Sequence, residues 1–262
     1  MGLLPKKGRI FSVSVVQWEK RREGSGGEGG ALLGCKNTVE RGFEMTATQI
    51  LWMAGVALVS YLLGSVSWAV IVGKVFLKDD VRKYGSGNAG MTNVLRTAGK
   101  GAAALVALGD VSKGAVSVLI GRLVFQYALG LDPIYGAYLG GYFAVLGHIF
   151  PLYFHFKGGK GVLTSAGAAV LIDPISVALT AVVFAAVTFT SKIVSLGSIV
   201  MALCYPVITY FVSRALGRDP VTVTICAVIF AAIIVFMHRS NIGRLLRGEE
   251  NRFGKKKEKV QK

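Results

Sequence analysis

Gly161-Val-Leu-Thr-Ser-Ala-Gly-Ala-Ala-Val-Leu-Ile-Asp-Pro-Ile-Ser-Val-Ala-Leu-Thr-Ala-Val-Val-Phe-Ala-Ala-Val-Thr-Phe-Thr190 is two apolar runs, Gly161–Ile172 and Ile175–Thr190, joined by Asp173-Pro174. The fold turns on that joint. As a tight hairpin, Asp-Pro reverses the chain and lets the second helix open with proline in its first turn. As one long broken helix, the stretch crosses a bilayer once. Each run is short for a crossing, which takes about 20 mostly apolar residues. The other apolar runs, Ala47–Val72, Gly101–Phe125, Ile134–Phe154, Ile193–Val212 and Val221–Met237, are longer. The hairpin thus gives seven crossings and the broken helix six.

Charge separates the two arrangements. With seven crossings, Lys74, Lys78, Arg82, Lys83, Arg96 and Lys100 share one side with Lys157, Lys160 and Lys192 and with a tail carrying Arg239, Arg244, Arg247 and Lys255 to Lys257. The other side keeps Arg122, Arg214 and Arg218 beside Asp132, Asp173 and Asp219. The basic-rich side of a membrane protein is cytoplasmic, whereas six crossings scatter the basic residues over both faces. The expected fold is therefore an all-α polytopic membrane protein with seven transmembrane helices and cytoplasmic glycine-rich loops.

Composition agrees. Of 262 residues, 53% are hydrophobic and only 17% charged, too apolar for an ordinary soluble domain. The net charge of +16 lies in the leading segment, the connections and the tail, a distribution that fits anionic head groups and anionic substrates and argues against nucleic acid. Cys35, Cys204 and Cys226 are odd in number and scattered, so they indicate no disulfide framework or metal motif. Residues 1–44 mix basic residues with Gly-Ser-Gly-Gly-Glu-Gly-Gly and are expected to be disordered. No cleavage site follows the short Ile10 to Val16 run, and Met45 is an alternative start. A membrane domain is expected over 45–253 and a basic tail over 254–262.

Two polar loops interrupt the apolar pattern. In Tyr84-Gly-Ser-Gly-Asn-Ala-Gly-Met-Thr-Asn-Val-Leu-Arg96, glycines at 85, 87 and 90 let backbone N–H groups gather around one point. Ser86, Asn88, Thr92, Asn93 and Arg96 add side-chain donors suited to phosphate. The loop satisfies G-x-G-x-x-G, but a charged segment precedes it where a dinucleotide fold needs a buried strand. The second loop, Phe156-Lys-Gly-Gly-Lys-Gly161, offers Lys157, Gly158, Gly159 and Lys160. It is no ATP-binding loop, since Gly161 follows the lysine where Ser or Thr should hold magnesium and Phe154 replaces the first glycine. Both loops are expected to face one compartment and share phosphorylated substrates.

Further polar residues lie within or just beyond the apolar runs. Asp110 and Lys113 share a helix face and can pair, as structural neutralisation or as part of a site. Ser195 and Ser198 share another face beside Lys192, although serines in membrane helices commonly bond their own backbone. His238, Asn241 and Arg244 recur at i, i+3, i+6 on the exit helix, as a ridge at the rim or as a solvated cationic helix end.

In order, Gly85-Ser-Gly-Asn-x-Gly-x-Thr-Asn-Val-x-Arg96, Asp110-x-x-Lys-Gly114, Leu146-Gly-His-x-Phe-Pro151, Phe156-Lys-Gly-Gly-Lys-Gly-Val162, Val194-Ser-Leu-x-Ser198 and His238-Arg-x-Asn-Ile-x-Arg-Leu-Leu-x-Gly-x-Glu250 resemble the bacterial acyl-phosphate:glycerol-3-phosphate acyltransferases. The resemblance runs from Thr46 to Phe253. Departures are Met91 and Leu163, where the family usually has alanine, and the leading 44 residues. The resemblance implies seven membrane helices in a bacterial inner membrane, an outward N-terminus and a cytoplasmic C-terminus. It implies acyl transfer from an acyl phosphate to the 1-hydroxyl of glycerol 3-phosphate, giving lysophosphatidic acid, the first step of phospholipid synthesis. Ser86, Arg96, Lys160, Ser198 and Asn241 match residues that hold the two substrates, with His238 and Glu250 also important.

An acyl phosphate is already activated, so direct attack of the hydroxyl on the acyl carbonyl is expected, with the protein supplying position and charge. A substrate phosphate oxygen is preferred to His238 as the base. No cofactor or metal is called for. The expected partners are the two substrates and membrane lipids, and the chain is expected to act as a monomer. The soluble-type acyltransferase pattern of His followed five positions later by Asp is absent, because Tyr153, Lys160 and Gly243 follow His148, His155 and His238. The alternative from another class is a transporter of a phosphorylated metabolite, which predicts an inverted repeat; the two loops differ in sequence and in flanking helices.

Overall fold

The computed structural model describes residues 12–15, 39–42 and 45–253. In the first unit, strands β1 (Ser12–Val15) and β2 (Val39–Gly42) pair antiparallel, Ser12 opposite Gly42 and Val15 opposite Val39. The alternating Ser-Val-Ser-Val of β1 favours extended backbone. The rest of residues 1–44 and the tail from 254 lie outside the described residues.

The second unit, which begins at Trp52 within the first helix, is helical among the described residues. Its helices are α1 (Ala47–Gly64), α2 (Trp68–Leu77), α3 (Met91–Thr97), α4 (Gly99–Leu123), α5 (Pro133–Ile149), α6 (Val162–Ile172), α7 (Pro174–Ser191), α8 (Val194–Ala215), α9 (Pro220–Met237) and α10 (Arg239–Leu246). Among the described residues six stretches are long and apolar enough to cross a membrane: Ala47–Leu77, Gly99–Leu129, Pro133–Phe154, Pro174–Ser191, Val194–Ala215 and Pro220–Met237. The remaining apolar helix, α6, has 11 residues. At 1.5 Å per residue it is only about 16 Å long, against a hydrocarbon core of about 30 Å. The first run is two helices, because Ser65 to Ser67 break it between α1 and α2. The second extends past its expected end as a wider π turn over Val124–Leu129.

Asp173-Pro174 is a hairpin. The carboxylate of Asp173 accepts from the Ser176 N–H at 3.3 Å, with Pro174 in the first turn. The same device starts α5 and α9: Asp132 accepts from Ile134 at 2.9 Å and Asp219 from Val221 at 3.0 Å, each followed by proline. Aspartate satisfies an orphan N–H and proline needs none there.

Small residues bring the backbones together, as expected where lipid supplies no hydrophobic push between helices. A Cβ on Gly121 of α4 or Gly136 of α5 would sit 2.6 Å from the other's carbonyl carbon. Val118, Ala137, Tyr138, Val145, Ala168 and Phe230 fill the space among α4, α5, α6 and α9. The outer faces are apolar too, with Leu58, Leu108, Val182, Leu203, Phe211 and Phe236 exposed, which suits a lipid solvent.

Candidate active site

The helix ends bearing the two loops meet at one cavity of about 480 Å³. Ser86, Gly87, Asn88, Thr92, Asn93 and Arg96 reach it from the first loop and α3, Lys160 and Gly161 from the second, Ser195 and Ser198 from α8, and His238, Asn241, Arg244 and Glu250 from the chain after α9. Gly85, Lys157, Gly158 and Gly159 do not line it, and the reason is local.

Asn93 is the internal brace of the first loop. Only 1% exposed, it donates from Nδ2 to the carbonyls of Val81 and Tyr84, both at 3.1 Å, and accepts the Ser86 N–H on Oδ1 at 2.9 Å. A side chain on Gly85, whose φ is +60°, would collide with that oxygen. Gly85 and much of Asn93 are thus spent on loop shape, leaving Ser86, Asn88, Thr92 and Arg96 for a ligand.

In the second loop, the N–H groups of Gly158 and Gly159 bond Ile149 O at 3.1 Å and His148 O at 3.2 Å. They finish the C-terminus of α5 rather than cradle an anion. Lys157 faces away, and its carbonyl accepts from Arg82, which also bonds Phe154 O at 2.9 Å and pairs with Asp80. What this loop sends into the cavity is the Lys160 side chain and the start of α6. The N-terminus of α6, led by Gly161, has no side-chain cap, and neither has that of α8, led by Ile193. Uncapped helix N-termini attract anions through their free N–H groups and dipole.

The cations are held by a network. Lys160 Nζ contacts Asn241 Oδ1. Asn241 Nδ2 donates to Glu250 at 2.8 Å, as do Ser195 Oγ at 3.0 Å and Arg244 Nε at 2.7 Å. Burial opposes ionisation of Glu250, but the bonds from Arg244, Asn241 and Ser195 outweigh it and hold its carboxyl below the usual range. Burial pushes Lys160 down to about 8, helped by Arg244 and Arg96 and opposed by Glu250. Burial and then the charge of Lys160 push His238 down to about 4. Its Nδ1 lies 2.7 Å from Ile234 O, and a carbonyl can only accept, so Nδ1 carries the proton and Nε2 a lone pair. Ser198 Oγ donates to Val194 O at 3.0 Å and keeps acceptor capacity.

The expected pair of Asp110 and Lys113 forms, at 2.9 Å; what spacing did not show is that Asp110 and His148 both line the cavity, 3.4 Å apart. Among the described residues neither His148 nor His238 is hydrogen-bonded to a serine, so no activated serine nucleophile is assembled. A second, apolar cavity of about 100 Å³ adjoins the first, sharing Val162, Ala166, Ala181 and Met201 and ending at Tyr205 and Phe230.

Residues 54–248 match the family model described as glycerol-3-phosphate acyltransferase. Glycerol-3-phosphate acyltransferase of Clostridioides difficile (strain 630) is 42% identical over 203 residues, covering 78% of this chain and 96% of that protein. The enzyme of that name from Bordetella pertussis (strain Tohama I) is 41% identical over 214 residues, covering 81% and 97%. Among solved structures, PlsY (YgiH), an integral membrane glycerol 3-phosphate acyltransferase in its glycerol 3-phosphate form, is 33% identical with a TM-score of 0.66, covering 77% of this chain and 96% of that one. Its lysophosphatidic acid form gives 34% and 0.65, covering 77% and 95%.

Proposed function

The chain belongs to the glycerol-3-phosphate acyltransferase family, and from its cavity we propose how it carries out that acyl transfer: an acyl phosphate is the donor, the 1-hydroxyl of glycerol 3-phosphate the acceptor, and lysophosphatidic acid and phosphate the products. The observation that carries this is the meeting of Arg96, Lys160 and Arg244 with two uncapped helix N-termini in one cavity that continues into an apolar one. Two phosphate groups need such a concentration of positive charge, and the first methylenes of an acyl chain need the apolar extension.

Arg96 and Lys160 clamp phosphates, and Ser86, Asn88 and Thr92 complete that cradle. Ser198 and Asn241 orient the glycerol hydroxyls, with Glu250 fixing Asn241. The hydroxyl attacks the acyl carbonyl, the carbonyl–phosphate bond breaks, and phosphate leaves. With its basicity lowered, His238 accepts a hydrogen bond at Nε2 rather than taking the proton, which passes to a phosphate oxygen. His238→Gln is then expected to slow turnover without abolishing it; complete loss of turnover with both substrates still bound reverses the assignment.

We further propose seven crossings in the bacterial inner membrane, with the cavity and the C-terminus cytoplasmic. Supporting this, α6 leaves the cavity, turns at Asp173-Pro174, and α7 returns to Lys192 beside it. The test is phosphate release by purified protein given an acyl phosphate, with and without glycerol 3-phosphate. Release that depends on glycerol 3-phosphate and yields lysophosphatidic acid is expected. Equal turnover with acyl-CoA overturns the donor, and uptake of glycerol 3-phosphate into liposomes without product overturns the reaction.

A further inference from the structure

We infer that the buried cluster Asp110, Lys113 and His148 is a positioning unit that fixes the two substrate loops against each other, an inference that rests on the acyl-transfer reading of the cavity. These residues are 1%, 6% and 7% exposed. Charge neutralisation inside a bilayer needs only Asp110 and Lys113, which share a face of α4 and pair directly. The cluster does more, because each member reaches a different element. Lys113 Nζ donates to Val66 O at 2.8 Å, in the break between α1 and α2, and α2 leads into the first loop. Asp110 Oδ1 lies 3.4 Å from Nδ1 of His148 on α5. The far side of that ring packs on Gly159: a Cβ there would strike His148 Nε2 and also lie 2.5 Å from Ala89 O of the first loop.

Gly159 thus packs against both the ring and the first loop, and the next residue is Lys160. The entry to the first loop, the chain at Ala89 and the backbone that aims Lys160 are set by three side chains that need touch no substrate. A misplacement of about 1 Å at a reacting centre can cost on the order of 100-fold in rate, so this packing belongs to the catalytic geometry.

The test uses the full-length protein in detergent, with kcat, KM for each substrate and the melting temperature measured together. Asp110→Asn and His148→Gln are expected to lower kcat/KM on the order of 100-fold. His148→Asn keeps a polar group at the Nδ1 position but loses the ring edge that packs on Gly159, and should lose as much. The neutral pair Asp110→Asn with Lys113→Gln recovers melting temperature but not kcat/KM. Recovery of both means that the cluster only neutralises charge, and near wild-type kcat/KM in His148→Asn means that the contact of the ring with Gly159 is idle; either result overturns the inference. Calorimetric binding of glycerol 3-phosphate reads loop geometry without turnover, with affinity expected to fall roughly tenfold in His148→Gln; unchanged affinity also overturns it. Wild-type binding without turnover would instead sink the acyl-transfer reading and leave this measurement standing.

Discussion

Helices α5, α7 and α9 start with Asp-Pro and a closed cap, whereas α3, α6 and α8, which start at the cavity, have no side-chain cap at all. The chemistry of the two ends is otherwise alike: each helix start leaves N–H groups unpaired and a positive dipole end. At the end away from the cavity the chain supplies its own anion. At the cavity it leaves the position to a ligand, and adds Arg96, Lys160 and Arg244 with Glu250 as the one carboxylate tied among them. On the proposed function, stability is served at one end of the bundle and binding at the other.

The largest expected effect comes from removing charge at the open end. Lys160→Ala is predicted to lower kcat/KM by about 10²- to 10³-fold, as for loss of one preorganised donor. Its melting temperature should hold or rise, because a buried cation is gone. Lys157→Ala removes the same charge three residues earlier, outside the cavity, and should cost far less. Equal losses would mean that charge near the membrane, rather than placement, drives binding.

A smaller effect is a change with pH. The proposed phosphate clamp requires Lys160 to be protonated, and burial pushes its pKa down to about 8. As pH rises past that value the free protein loses the cation, so log(kcat/KM) for glycerol 3-phosphate should bend downward, by about tenfold per pH unit. Lys160→Arg keeps its charge at these pH values and should remove the bend while lowering the plateau. A wild-type profile flat to pH 10 would show that Lys160 carries no such burden.

Much of this was legible in the sequence because it is local. Apolar runs bounded by charge gave α6, α7 and α9 to within a residue, overran the end of α5 and stopped short of the end of α8, and Asp173-Pro174 gave the hairpin. The two loops and the ridge of His238, Asn241 and Arg244 were found because glycine and donor spacing needs no tertiary information. What failed were roles set by distant contacts. Asn93 reads as a phosphate donor but bonds Val81 and Tyr84. Gly158 and Gly159 read as an anion nest but close the end of α5. His148 lies 38 positions from Asp110 in the chain, and only the packing of α4 on α5 sets the two 3.4 Å apart. Nothing in the pattern between Ala47 and Leu77 forced a break, although Gly64-Ser-Val-Ser67 marks where it falls.

The smallest effect tests the closed end. Asp132 is far from the cavity lining and its carboxylate accepts the Ile134 N–H at 2.9 Å. Asp132→Ala should cost about 1 kcal/mol of stability, the usual worth of such a cap. Asp132→Asn should cost almost nothing, since the amide oxygen accepts the same bond. Neither should change kcat or KM. Glycerol 3-phosphate at about 100 times its Kd should raise stability by about 2.7 kcal/mol in both variants and in the wild type, because the ligand occupies the other end. If Asp132→Ala altered KM, capping and binding would be coupled through α5, whose C-terminal carbonyls hold Gly158 and Gly159, and the division between the two ends would fail at that helix first.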